Sequence, residues 1–154
     1  MDPRTTDRTR KGRLIRGGSA EPTGVAWLDE EGEDVADARV FRSRLLRRVL
    51  GVRVHASAGD GDVVLVSTRR SRVLATPVPY ETDTGPVVLG AEPLGPNTHV
   101  LSWRRPAGAW HAFAVLRLDG VRDAEPLPFD PVRRQVPGLR RYPSGRLREA
   151  VLTR

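Results

Sequence analysis

Three side chains suit metal ligation or proton transfer near neutral pH, the imidazoles of His55, His99 and His111. Each stands alone in a stretch that reads as a strand, with no second histidine or carboxylate beside it at ligand spacing. A zinc or two-metal centre needs several such groups together, so these imidazoles are expected to cap a sheet edge or face solvent, and no metal site is expected. Asp60-Gly61-Asp62 brings two carboxylates close, but a glycine flanked by aspartates at a hairpin tip more commonly serves the turn than a cation. The chain has no cysteine, which removes thiolate nucleophiles, disulfides and iron–sulfur clusters. No Gly-x-Ser-x-Gly elbow occurs, Gly17-Gly18-Ser19 lacks the lysine of a phosphate loop, and no G-x-G-x-x-G follows a strand.

Charge is the other chemical resource. The 154 residues carry 26 basic and 19 acidic side chains, a formal net charge of +7, and Lys11 is the single lysine. Arginine forks match phosphate and carboxylate, so a nucleic acid or other polyanion is a candidate partner, reached through Arg4 to Arg16 and the arginines of Arg39–Arg53. The arginines are nevertheless interleaved with acids, and GC-rich coding gives the same substitution of arginine for lysine. Aromatic residues make up only 5%, and Trp27, Trp103 and Trp110 sit in core-like patterns rather than on an exposed stacking face.

The elements that would position these groups read as a small, mainly antiparallel β domain of the α+β class. Residues 1–12 are expected to form a disordered basic tail, because they lack apolar side chains, and residues 13–154 a single domain. Thr23 to Leu28 reads as a first strand and Asp29 to Asp34 as an acidic loop. Phe41, Leu45 and Val49 recur every four residues, which predicts an amphipathic helix from about Asp37 to Leu50. Gly51–Ala56 and Asp62–Ser67 flank the glycine-rich Ala58–Gly61 as a β-hairpin. Irregular chain is expected around Pro77 and Pro79. Three further strands are predicted at Pro86–Ala91, His99–Arg104 and Trp110–Leu118, the last apolar on both faces and so central. The proline-rich segment after Leu118 should run extended over the surface, and Gly145–Arg154 reads as a short helix. No apolar run reaches the roughly 18 residues of a spanning helix, and none follows the N-terminal arginines as in a secretory signal, so a cytoplasmic location is expected.

The ending Phe129-Asp130-Pro131-Val132, Pro137-Gly138-Leu139-Arg140 and Arg146-Leu147-Arg148-Glu149-Ala150-Val151 resembles that of small bacterial proteins related to the catalase-like haem barrel, some of which are called phosphodiesterases. Gly51-Val52-Arg53-Val54 with Gly61-Asp62-Val63-Val64-Leu65 is similar to a hairpin of that barrel, and Glu21-Pro22-Thr23-Gly24-Val25 occupies the place of its His-Pro-x-Gly motif. The resemblance implies a trimmed or partly open catalase-like barrel, with Glu21 in the catalytic place and Arg53, Asp62 and Arg148 in cofactor-binding places. It also implies departures. Glu21 replaces the histidine that acts on peroxide, Leu152 stands where the axial tyrosine ligand belongs, and Tyr142 precedes the final helix. The expectation is therefore a degenerate, haem-free barrel that binds a small molecule or a protein. A haem-dependent peroxidase, a phosphodiesterase and an anion- or nucleic-acid-binding module are the alternatives.

Overall fold

The computed structural model describes residues 8–43, 47–67, 71–121 and 128–141. Among them run β1 (Arg10–Gly17), a one-turn helix α1 (Ala26–Asp29), β2 (Glu31–Arg42), β3 (Arg48–Ala56), β4 (Gly59–Ser67), β5 (Leu74–Ala75), β6 (Tyr80–Thr82), β7 (Gly85–Pro93), β8 (Thr98–Arg104), β9 (His111–Val121) and β10 (Arg140–Arg141). Every pairing is antiparallel, in the order β7-β5-β4-β3-β2-β1-β9-β8, and β8 returns to β7. Eight strands thus close a barrel rather than leaving it partly open. β6 and β10 extend the near end of β7 as a small annex. None of the described helices is long and apolar enough to cross a membrane.

Period-two alternation builds the wall. Leu14, Ala36, Ala38, Leu50, Val52, Val54, Val63, Leu65, Val87, Leu89, Leu101, Trp103 and Leu116 belong to one buried core. A smaller outer cluster of Val49, Val64 and Val66 packs with Phe41 and Phe129.

The expected helix from Asp37 to Leu50 is replaced by β2 and β3. A spacing of four is two strand periods as well as about one helical turn, and Phe41 and Val49 are direct cross-strand partners on the outer face. Ala36 and Ala38, between the polar Asp37 and Arg39, supply the inward phase. Leu45 lies outside the described residues.

The expected tail is also shortened. Arg10, Lys11 and Gly12 already pair with both β2 and β9, because Leu14 is fully buried and anchors the strand around it. Gly12 sits where the β1–β9 register shifts, and a Cβ there would collide with the Arg117 carbonyl.

Thr23–Leu28 is not a strand. Asp29 accepts hydrogen bonds from the Thr23 amide (2.9 Å), the Thr23 hydroxyl (2.8 Å) and the Gly24 amide (2.9 Å). That closes a turn, with Gly24 at φ +84°, which starts α1 and buries Val25, Trp27 and Leu28. The acidic run beyond it is strand rather than loop. Glu31 and Glu33 lie at less buried positions, while buried Asp34 accepts from Arg16 Nε (2.9 Å) and Trp27 Nε1 (3.0 Å).

The hairpin stands as expected, except that its turn falls at Ser57-Ala58, so that Asp60, Gly61 and Asp62 lie within β4. β7, β8 and β9 also form where strands were predicted. β9 is not apolar on both faces in space. Its register against β8 shifts between Leu101 and Ser102, which changes the phase, buries Phe113 and Ala114 together and leaves Ala112 exposed. The stretch 128–139 does not simply run extended over the surface; it turns at Asp130 and buries Val136 and Leu139. The predicted C-terminal helix lies outside the described residues.

Candidate ligand-binding site

The two ends of the barrel differ. Gly17, Glu31, Ala56 and Gly59 mark the end where α1 sits. There Trp27 meets Phe113 edge-on at 5.2 Å between ring centroids, Trp103 is fully buried, and Val136 and Leu139 join the core. Arg16 holds this plug by donating to the carbonyls of Trp27 (3.3 Å) and Glu30 (2.8 Å) as well as to Asp34.

The opposite end is open. A cavity of about 330 Å³ is lined there by Ala38, Val40, Pro93, His99 and Leu118 within, and by Arg8, Arg10 and Arg48. Alanine at position 38 leaves space that leucine or tryptophan fills elsewhere, and an eight-stranded barrel is wide enough either for packed side chains or for one small ligand. Arg10 is fixed by donating to the carbonyls of Pro96 and Leu118, both at 3.3 Å. His99 is 4% exposed, and its Nδ1 is buried with no hydrogen-bond partner. Burial, reinforced by the charges of Arg48 and Arg10, pushes the His99 pKa down, so the ring is neutral at physiological pH. The expectation that each histidine would face solvent or cap an edge therefore fails at His99, whose inward phase it shares with Leu101 and Trp103.

The residues named by the resemblance lie elsewhere. Glu21 is at the plugged end, half-exposed, with its carboxylate 3.3 Å from His111 Nε2, and His111 stacks on Trp103 at 4.6 Å. Arg53 and Asp62 form a buried fork on the outer wall, Nε to Oδ1 at 2.8 Å and the second nitrogen to Oδ2 at 3.0 Å. Arg53 also donates to the Pro128 carbonyl (3.0 Å), and Asp62 accepts from the Asp130 amide (2.7 Å). The hydrogen bond that Arg53 donates to Asp62, and the charge of that carboxylate, raise the Arg53 pKa against burial. The fork clasps the 128–139 segment, and Phe129 lies on Gly51, where a Cβ would come within 2.5 Å of the ring. Arg148, Leu152 and Tyr142 lie outside the described residues. Neither Glu21 nor the Arg53–Asp62 pair lines the cavity.

Beside the fork, His55 bridges two acids, Nε2 to Asp37 at 2.9 Å and Nδ1 to Asp60 at 3.1 Å. Burial opposes its charge, but the hydrogen bonds and charges of the two carboxylates outweigh it and raise its pKa. No group of three or more His, Asp or Glu side chains able to hold a metal gathers among the described residues.

The cavity residues escape sequence reasoning because Arg8 and Arg10 read as tail and Arg48 as the end of a helix. One signal was available: His99, Leu101 and Trp103 share one strand phase, and the last two are core types.

Comparison with protein-family models, curated proteins and solved structures found no match.

Proposed function

We propose that the chain is a binding protein, a haem-free relative of the catalase-like barrel that takes a small molecule into its open end. The observation that carries the reading is the 330 Å³ cavity with an apolar interior and a cationic lining, at the small end of the range for ligand pockets. The catalase-like part rests on the Arg53–Asp62 fork and the Phe129-Asp130-Pro131 turn, since the residues that carry the resemblance form one clasp.

The cavity does not suit haem. A tetrapyrrole with its propionates is larger than this space, no tyrosine among the described residues lines it, and Glu21, in the place of the family's distal histidine, faces His111 instead. Two-metal phosphodiester hydrolysis would need a ligand cluster that the described residues do not assemble.

The test uses octanol and octanoate as probes, followed by backbone amide shifts. Either probe should move the resonances of Ala38, Val40 and Leu118, and Val40→Trp, which fills the cavity, should abolish the effect. Neither probe moving them at millimolar concentration would overturn the binding reading. Added haem giving a stoichiometric Soret band that shifts with cyanide would overturn the haem-free reading.

A further inference from the structure

Resting on that reading, we infer that the open end selects an organic anion, an apolar body of roughly ten heavy atoms, at about 30 Å³ per small group, ending in a carboxylate or phosphate.

The charge of the lining is one-sided. Among the described residues, three arginines and a histidine line the cavity, with no aspartate or glutamate beside them. Three arginines elsewhere on the wall meet acids: Arg13 with Glu33, Arg16 with Asp34 and Arg53 with Asp62. Arg10 is preorganised by the Pro96 and Leu118 carbonyls, which aim its fork without neutralising it. A bound anion would complete this arrangement through charge-assisted hydrogen bonds, the strongest that arginine makes.

The apolar part has its place as well. Ala38, Val40, Pro93 and Leu118 offer no donor or acceptor from their side chains, so the interior favours carbon. His99 is the buried polar group among them, and Arg10 and Arg48 both disfavour its charged form. A neutral imidazole carries one N–H donor and one acceptor, and an anionic headgroup beside it would offset the arginine charges that disfavour its protonated form. An inorganic anion alone would leave the apolar lining unused, and a neutral alcohol would leave the arginines unused.

The proposal is tested by calorimetric titration of the full chain with octanoate, octyl phosphate and octanol. At least one anion should bind tenfold or more tightly than octanol. Arg48→Gln, at an exposed position that leaves the core intact, should weaken that anion fivefold to tenfold and octanol by less than twofold. The His99 ring resonance should titrate at higher pH with the anion bound. Octanol binding as tightly as both anions would overturn the anionic class and leave the binding barrel standing, whereas no binding by any of the three would overturn both. An Arg48→Gln variant with undiminished anion affinity would also overturn the assignment.

Discussion

Removing Asp62 is the sharpest test of how the barrel is closed. Its side chain is fully buried and Arg53 is 8% exposed, so Asp62→Ala leaves a guanidinium without its counter-charge and the Asp130 amide without its acceptor. Loss of one partner of a buried pair costs about 3–5 kcal/mol, and an orphaned buried amide about 1–3 kcal/mol. The two overlap because the strap can lift away and let water in, so the expected loss is about 4 kcal/mol. For a chain of this size that lowers Tm by roughly 10 °C. The double variant Arg53→Met/Asp62→Leu removes both charges and should recover more than half of the loss, since replacing a buried ion pair by apolar groups is often near neutral. Urea unfolding of the wild type, Arg53→Met, Asp62→Leu and the double variant closes the cycle. Limited proteolysis near Pro128 should accelerate in Asp62→Ala and less in the double variant. A loss under about 1 kcal/mol, or additive single variants, would refute the clasp as a buried, coupled pair.

The two perturbed histidines predict opposite pH responses. His55 has a raised folded pKa, so its contribution is fully present below the unfolded value near 6.5 and is lost as pH rises through the folded value. Because the ring is partly exposed, the effect is small, and His55→Asn should flatten the change seen in urea midpoints between neutral and mildly alkaline pH. His99 has a lowered folded pKa, so stability falls as pH drops below about 6.5 toward the folded value; His99→Gln should remove that acid-side loss in the same series. Gly51→Ala places a methyl group in the Phe129 ring, and overpacking of this kind costs about 1–3 kcal/mol. Phe129→Leu in the same chain should restore much of it, as read by thermal unfolding.

The legible part of the fold was the part where apolar periodicity was unambiguous. In β3 and β4 the valines are dense and a turn separates them, and β7, β8 and β9 are bounded by glycine and proline. The failures have specific causes. From Asp37 onward the spacing of four satisfied both periods, and the deciding inward residues, Ala36 and Ala38, are too small to register as a hydrophobic face. Arg10 to Gly12 carry little apolar surface of their own, and their strand exists because β2 and β9 are paired on either side. Asp29 and Asp34 were read together as solvated charge, whereas one caps a turn and the other is held by Arg16 and Trp27. The candidate site suffered most, because its residues come from the first strand, the start of β3 and the start of β8, and only closure of the barrel joins them.

The asymmetry between the ends gives the functional reading its physical basis. At the plugged end the basic Arg16 has an acid, two carbonyls and a tryptophan-backed setting to satisfy it, and large rings fill the space. At the open end small side chains leave a void, Arg10 meets two carbonyls, and no carboxylate is among the described residues that line it. Positive charge gathered there costs stability, because the arginines repel one another. Placing an acid in the lining, Val40→Asp, should compete with a bound anion for Arg10 and Arg48 and so weaken octanoate binding. A variant that binds octanoate as well as the wild type would mean that the arginines do not serve the ligand.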